Sequence, residues 1–276
     1  MQPTSVPIAG GAATALHIPI ALDGRISAYP ATARGTGVVN IYLLRDGNSA
    51  LLIDTGFSTH QEVVLDWLAD ELPRDHRLGV VVLRQSEFDS VCNVVPIVNR
   101  FNVEMVYGAQ SQGMTWFGFR PDQRLGDRAM SAPYSVLKKD PITFLDTISR
   151  AIPVIVPALR LLNTHWLFDP LSRTLFTSDA FCHLDGDEPR DVTTGELRTH
   201  LLSTRYWWLA GARTQEITGW LDQVFNTFAI ERIAPAYGPV LAGSEMVSAV
   251  VDVYKRTLHE LADSPSAAVD MGGIPV

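Results

Sequence analysis

Two cysteines, Cys92 and Cys182, are all that this 276-residue chain contains, and nothing in their spacing pairs them. That scarcity excludes a disulfide framework or a cysteine-built zinc module and predicts a reduced, cytoplasmic setting. Long apolar runs are missing too. No stretch reaches the roughly 18 residues of a membrane-crossing helix, so no membrane partner is expected. The opening segment MQPTSVPIAGGAATALHIPIAL has no Lys or Arg before its apolar part and does not read as a signal peptide. Basic clusters are absent as well. With 22 Lys+Arg against 30 Asp+Glu the formal charge is -8, which argues against a nucleic-acid partner. Gly35-x-Gly37 lacks the third glycine and following helix of a dinucleotide fingerprint and is expected to be a plain loop.

What is present describes an ordinary globule, 46% hydrophobic and 19% charged. The length suits one domain of two fused α/β halves. Residues 1–23, rich in Pro, Gly and Ala, are expected to wrap the surface, 24–262 to form the single domain, and 263–276 to be a loose tail. Val38–Leu44 and Ala50–Ile53 read as strands joined by the hairpin turn Asp46-Gly47-Asn48. Thr59-His60-Gln61-Glu62 reads as a capping box opening a helix that ends before Pro73. His60 there is expected at the surface. Val103–Tyr107 is a further strand, Pro141–Ile148 a short helix, and Val154–Val156 a strand. Leu159–Phe168 and Thr174–Thr177 pair across Asp169–Arg173. Helices follow over residues 193–212, 215–228 and 245–262. The irregular section 110–140 carries Trp116, Phe117, Phe119 and Tyr134, which either line a pocket or pin the loop to the core.

Chemistry concentrates at Val80–Phe101. A β-branched run, Leu78–Leu83, breaks into Arg84-Gln85-Ser86-Glu87-Phe88-Asp89-Ser90, and Val91, Val94, Val95 and Val98 then follow at helical spacing. Polar residues between a buried strand and a helix lie where α/β folds place their sites, although a solvated loop has the same composition.

Four segments in order resemble the metallo-β-lactamase superfamily. Val39-Asn40-Ile41-Tyr42-Leu43 is similar to its early strand, and Leu52-Ile53-Asp54-Thr55-Gly56 to its L-I-D-T-G turn. Phe176-Thr177-Ser178-Asp179-Ala180-Phe181 resembles the late strand ending in a bridging aspartate, and Ile233-Ala234-Pro235-Ala236-Tyr237-Gly238-Pro239 the closing segment. Glu87 inside the central motif resembles the flavodiiron, oxygen-binding branch, which carries His-x-Glu-x-Asp-His. The resemblance covers roughly residues 25–245. It implies an αββα sandwich, two mixed sheets flanked by helices.

Residue by residue, the same resemblance puts carboxylates Glu87, Asp89 and Asp179 on three ligand positions. Gln85 and Ser90 stand at the motif's histidines, Arg160 at the central histidine and Tyr237 at the last. Asp54 and Gly56 take the structural turn. Without imidazoles no tightly bound transition metal is expected. If a cation binds, Glu87, Asp89 and Asp179 would hold a hard ion such as Fe, Mn or Mg weakly. No flavodoxin-like segment follows, so the chain is expected to carry no flavin. Three neighbouring carboxylates need positive charge, and Arg160 is expected to supply it. His183, after the Asp179 strand, and Trp116 are candidate substrate contacts with Gln85 and Ser90. His165 beside Trp166 reads as packed and Cys182 as filler.

The leading expectation is therefore a diverged enzyme acting on a small molecule, hydrolase-like or of the iron–oxygen type, with Glu87, Asp89, Asp179, Arg160 and Tyr237 as its machinery. The alternative is a non-catalytic binding or scaffold protein whose former metal site is an Arg–carboxylate network. A third is a subunit docking through the surface near Trp207. A homo-oligomer is compatible with all three.

Overall fold

The computed structural model describes residues 2–26, 28–110, 118–138, 142–145, 148–159, 163–182 and 195–264. Thirteen strands in these residues form two sheets. The first contains β1 (Thr4–Ile8), β2 (Ala13–Leu22), β3 (Gly35–Asp46), β4 (Ser49–Ile53), β5 (Arg77–Val81), β6 (Val103–Gly108) and β7 (Tyr134–Val136), side by side in chain order. The second contains β8 (Ile142–Leu145), β9 (Ile152–Ile155), β10 (Trp166–Asp169), β11 (Thr174–Ser178), β12 (Arg232–Pro235) and β13 (Leu241–Ala242), in order 13-12-11-10-9-8. Both sheets are mixed: β4, β5, β6 and β7 run parallel, as do β11 and β12, and the other pairs are antiparallel.

Strand alternation builds the layers. On one face of the first sheet Ala13, Ala15, Tyr42, Leu44, Leu51, Ile53 and Val81 meet Val154, Leu167, Phe176 and Ala234 of the second, forming the core between sheets. On its other face Leu16, Ile18, Ile41, Leu43, Leu52 and Val80 pack against α1 (Gln61–Glu71), the single turn α2 (Phe88–Val91), α3 (Val94–Arg100) and α4 (Asp127–Ser131). The second sheet's outer face, with Trp166, Phe168, Leu175 and Ile233, is covered by α5 (Gly195–His200), α6 (Gln215–Thr227) and α7 (Ser244–Asp263). The result is the expected αββα sandwich. Two sheets buried on both sides read as near-continuous apolar runs, as Ala50–Ile53 and Val80–Leu83 do.

Several sequence expectations need correction. Residues 1–23 do not wrap the surface: β2 pairs with β3 over ten residues, from Ala13–Leu44 to Leu22–Gly35. Its alternating small and large apolar residues serve both cores, and composition alone hid that period. Residues 142–145 form a strand rather than a helix, because Ile142-Thr143-Phe144-Leu145 is β-branched and aromatic and pairs antiparallel with β9. The helix from 61 is present without its capping box: His60 is the N-cap and makes no side-chain cap bond. The helix expected over 193–212 is interrupted. After α5 the backbone widens into a π turn over Leu201–Arg205, then a 3₁₀ turn over Trp207–Leu209. The tail from 265 lies outside the described residues.

Candidate active site: an arginine-bridged acidic cavity

Both sheets deliver their functional residues to one end of the sandwich. There, chain segments beyond β5 and β12 cross to the opposite sheet through the single bridges Arg84–Thr164 and Val39–Tyr237. The early strand sets the second crossing. Asn40 donates from Nδ2 to the carbonyls of Pro235 (2.8 Å) and Gly238 (2.6 Å), and its backbone N–H donates to Ala236 (2.8 Å). Tyr42 donates its hydroxyl to the Pro235 carbonyl at 2.6 Å. Tyr237 is thereby fixed at the floor of the site.

The turn after β4 performs the same service for the central motif. Asp54 adopts a left-handed backbone (φ 60°) and is followed by Gly56 at φ 76°. A methyl added at Gly56 would stand 2.9 Å from Ile41, so the turn requires glycine on two counts. Oδ1 of Asp54 accepts the Leu83 N–H at 2.8 Å and the Ser90 hydroxyl. Ser90 in turn accepts the Arg84 N–H at 3.2 Å. Thr55 donates to the Ser90 carbonyl at 2.9 Å, and Asn93 spans the Thr55, Gly56 and Phe57 carbonyls. Burial raises the Asp54 carboxyl to about 6 despite Arg84 and the Ser90 hydroxyl. Ser90, fully buried, is thus part of the scaffold rather than a wall of the site.

The cavity above this scaffold measures about 330 Å³. Arg84, Glu87, Asp89, Asp179, Arg205, Tyr237 and the buried Ala28 line it, with Arg25, Ile26, Phe57 and Phe88, each exposed or half-buried, toward the mouth. Arg84, 6% exposed, pairs through Nη2 with Oδ2 of Asp89, and the Tyr237 hydroxyl donates to that same oxygen at 2.6 Å. The guanidinium also lies 5.9 Å from the Tyr237 ring centroid. Arg205 donates from Nη2 to Oδ2 of Asp179 at 2.9 Å and to its carbonyl at 3.0 Å. Burial would raise the Asp179 carboxyl, but Arg84 and Arg205 together hold it below the usual range. Burial and the adjoining Asp89 push the Tyr237 phenol up, so Tyr237 remains a donor. Glu87 differs from the other two acids. Among the described residues its carboxylate has no hydrogen bond or ion pair, and burial raises it, with Arg84 opposing and Asp89 and Asp179 reinforcing.

Of the residues singled out from sequence, Glu87, Asp89, Asp179 and Tyr237 come together here, and Asp54, Gly56 and Ser90 support them. Gln85 turns away from the cavity: its Oε1 accepts the Gln110 N–H at 2.7 Å and the Tyr134 hydroxyl at 3.0 Å. Arg160, Trp116 and His183 lie outside the described residues. His165 is buried and His60 half-buried, the latter packed in a T-shaped pair with Phe57. Cys182 is buried, its thiol pushed up to about 12 by burial, which makes it a poor nucleophile.

The sequence reading missed Arg84 and Arg205. Among the described residues these supply the positive charge assigned to Arg160. Three acids against one arginine already implied a shortfall of cation, and Arg84 stood at the end of the buried strand next to the motif. Arg205 had no such signal: it ends a π turn that interrupts the expected helix, and from there it pairs with Asp179.

The donor set among the described residues does not fit a binuclear metal centre. Among the described residues no three His, Cys, Asp or Glu side chains are grouped to hold an ion, so Glu87, Asp89 and Asp179 share a cavity without forming a ligand set. Asp89 Oδ2 is already occupied, accepting from a guanidinium and a phenol. No helix among the described residues is long and apolar enough to cross a membrane.

No protein-family model and no curated protein matches this chain. Solved structures do. The metal-soaked Flv1 flavodiiron core from Synechocystis sp. PCC6803 superposes with a TM-score of 0.67 at 16% identity, over 94% of this chain and 61% of that one. This chain therefore spans only 61% of that protein's length. A fragment of putative diflavin flavoprotein A 5 from Nostoc sp. PCC 7120 gives 0.69 at 13% identity, over 94% and 96% of the two chains. The mono-zinc metallo-β-lactamase FIM-1 from Pseudomonas aeruginosa gives 0.57 at 14%, over 94% and 97%. Identities this low establish fold alone, and in fold this chain is a metallo-β-lactamase sandwich of the form seen in flavodiiron cores.

Proposed function

We propose that this chain carries a small-molecule site in which arginines, rather than metal ions, neutralise the acids at the end of the sandwich. The observation that carries the reading is the pairing of Arg84 with Asp89 on the oxygen that also accepts the Tyr237 hydroxyl. A permanently charged guanidinium on that carboxylate competes with any cation for it. The chemistry left to such a site is proton transfer. Glu87 is the lining carboxylate without a partner among the described residues, and burial raises its carboxyl above the ordinary value, the direction that suits a general acid or base. Asp89 and Asp179 orient and hold charge, and Tyr237 is a hydrogen-bond donor to Asp89.

Elemental analysis after purification without added metal tests this directly. The reading expects well under two equivalents of iron or zinc per chain. Two equivalents surviving dialysis against a chelator would overturn it. For catalysis, Glu87→Gln should lower turnover of an identified substrate by ~10²- to 10⁴-fold with the fold intact.

The saturation of Asp89 and Asp179 by arginine favours a second reading, a non-catalytic binding protein whose ion-pair network shapes the pocket. Undiminished turnover in Glu87→Gln, or none in the parent chain on any substrate it binds, would select it.

A further inference from the structure

Resting on the arginine-neutralised reading of the cavity, we infer that its ligand bears an organic cation, an ammonium group that meets Glu87 and the aromatic residues of the mouth. The first argument is a charge count. Arg84 is committed to Asp89 and Arg205 to Asp179. Arg25 at the mouth is committed to Asp23, its Nε donating at 2.6 Å. Among the described residues every lining arginine therefore has its acid, and Glu87 is left over, half-buried and facing the same 330 Å³. A ligand anion would add to an existing excess, whereas a ligand cation completes the set.

The second argument is independent of charge. Phe88 is 63% exposed, the position of a large aromatic that core packing does not explain, and it adjoins Glu87 in sequence at the cavity mouth. Phe88 and Phe57 are held there by T-shaped pairs with Phe119 (5.9 Å) and His60 (5.5 Å). Aromatic rings around a carboxylate are the surroundings that attract quaternary and protonated amines, through the ring quadrupole and the ion pair together. Burial pushes His60 down to about 4, so that wall carries no competing positive charge at neutral pH. The overall charge of -8 draws cations toward the chain.

Isothermal titration of the full chain with choline, its neutral isostere 3,3-dimethylbutan-1-ol and acetate tests the inference. Choline is chosen because it cannot donate its charge as a proton, so binding is read apart from any catalysis. The expected result is choline at least about tenfold tighter than the alcohol, with no binding of acetate. Glu87→Gln should remove that preference while leaving the alcohol's affinity unchanged. Phe88→Ala, at an exposed position, should weaken choline several-fold. Choline no tighter than the alcohol, a preference that survives Glu87→Gln, or no binding of choline at millimolar concentration would each overturn the inference. Bound metal at two equivalents sinks the underlying reading instead. A metal-free protein indifferent to the probe's charge sinks only this one.

Discussion

Arg84 and Tyr237, 153 residues apart in the chain, meet on a single oxygen of Asp89. Each comes from a different sheet's end, and each is fixed by backbone contacts made elsewhere: Arg84 by Ser90 and Asp54, Tyr237 by Asn40 and Tyr42. The meeting point is therefore a clasp between the two halves as well as a wall of the site, and its strength can be measured.

Removing Arg84 should leave buried negative charge without compensation. Loss of one partner from such a cluster costs roughly 3 to 5 kcal/mol, so Arg84→Met should be substantially less stable than the parent near neutral pH. The sign with pH follows from Asp179, whose carboxyl Arg84 and Arg205 hold below its unfolded value. Its contribution is complete above the unfolded pKa and fades as pH falls through the folded one. Denaturant melts at pH 7 and pH 4 should show the gap between variants narrowing on acidification. A gap that stays constant would place the compensating charge elsewhere.

Tyr237→Phe keeps the ring and deletes one charge-assisted hydrogen bond. A loss of about 1.5 to 3 kcal/mol is expected, with the T-shaped packing on Tyr29 preserved. Chemical denaturation of the two proteins side by side measures it. A loss below about 0.5 kcal/mol would mean water replaces the phenol without cost.

Two histidines set the acid side of the stability profile. Burial lowers both His60 and His200 to about 4, and His200 keeps a hydrogen-bond contact from Nε2 to the Ala28 carbonyl at 3.2 Å. Neutral in the fold and protonated when unfolded, they contribute stability that is full above about pH 6.5 and is lost toward pH 4. Thermal melts should decline across that window, and His200→Gln should make the decline shallower. An unchanged slope in the variant would show that His200 is solvated.

Asp54 acts in the opposite sense. Its carboxyl, raised to about 6, favours the fold when protonated, so its contribution is complete below the unfolded value and declines as pH rises through 6. Asn keeps the acceptor for Leu83 and Ser90 and tolerates the left-handed backbone at φ 60°. Asp54→Asn should therefore gain on the parent as pH rises from 4 to 7 in the same melts. A variant that loses ground instead would mean the ionised form is the one the turn requires.

How far the sequence foretold this depends on which force positions a residue. Asn40, Tyr42, Asp54 and Gly56 were legible because a turn or a strand crossing demands those side chains, and the demand leaves a motif. Glu87, Asp89 and Asp179 were legible by another route, because they fall on the motif positions of the metallo-β-lactamase resemblance. β2 was not, since its alternation of Ala and Thr with Leu, His and Ile is faint until β3 lies beside it. The swap of expected helix for strand at 142–145 is a tertiary effect, the ladder to β9 deciding what four apolar residues alone leave open. Arg84 and Arg205 were hidden for opposite reasons. An arginine after a strand is commonplace, and Arg205 reaches Asp179 from a backbone irregularity that no residue in Leu201–Arg205 announces.

That irregularity makes the site's charge a matter of helical register. The π turn closes on the Tyr206 N–H to Leu201 carbonyl bond at 2.8 Å and takes one residue more than an α turn. Deleting one residue there would let the helix run on as α and rotate Arg205 by about 100° relative to α5. Both cores could keep their sheets and helices while Asp179 lost its partner. A single-residue deletion here would thus exchange an arginine-held acid for an open one while leaving Arg205 itself in the chain.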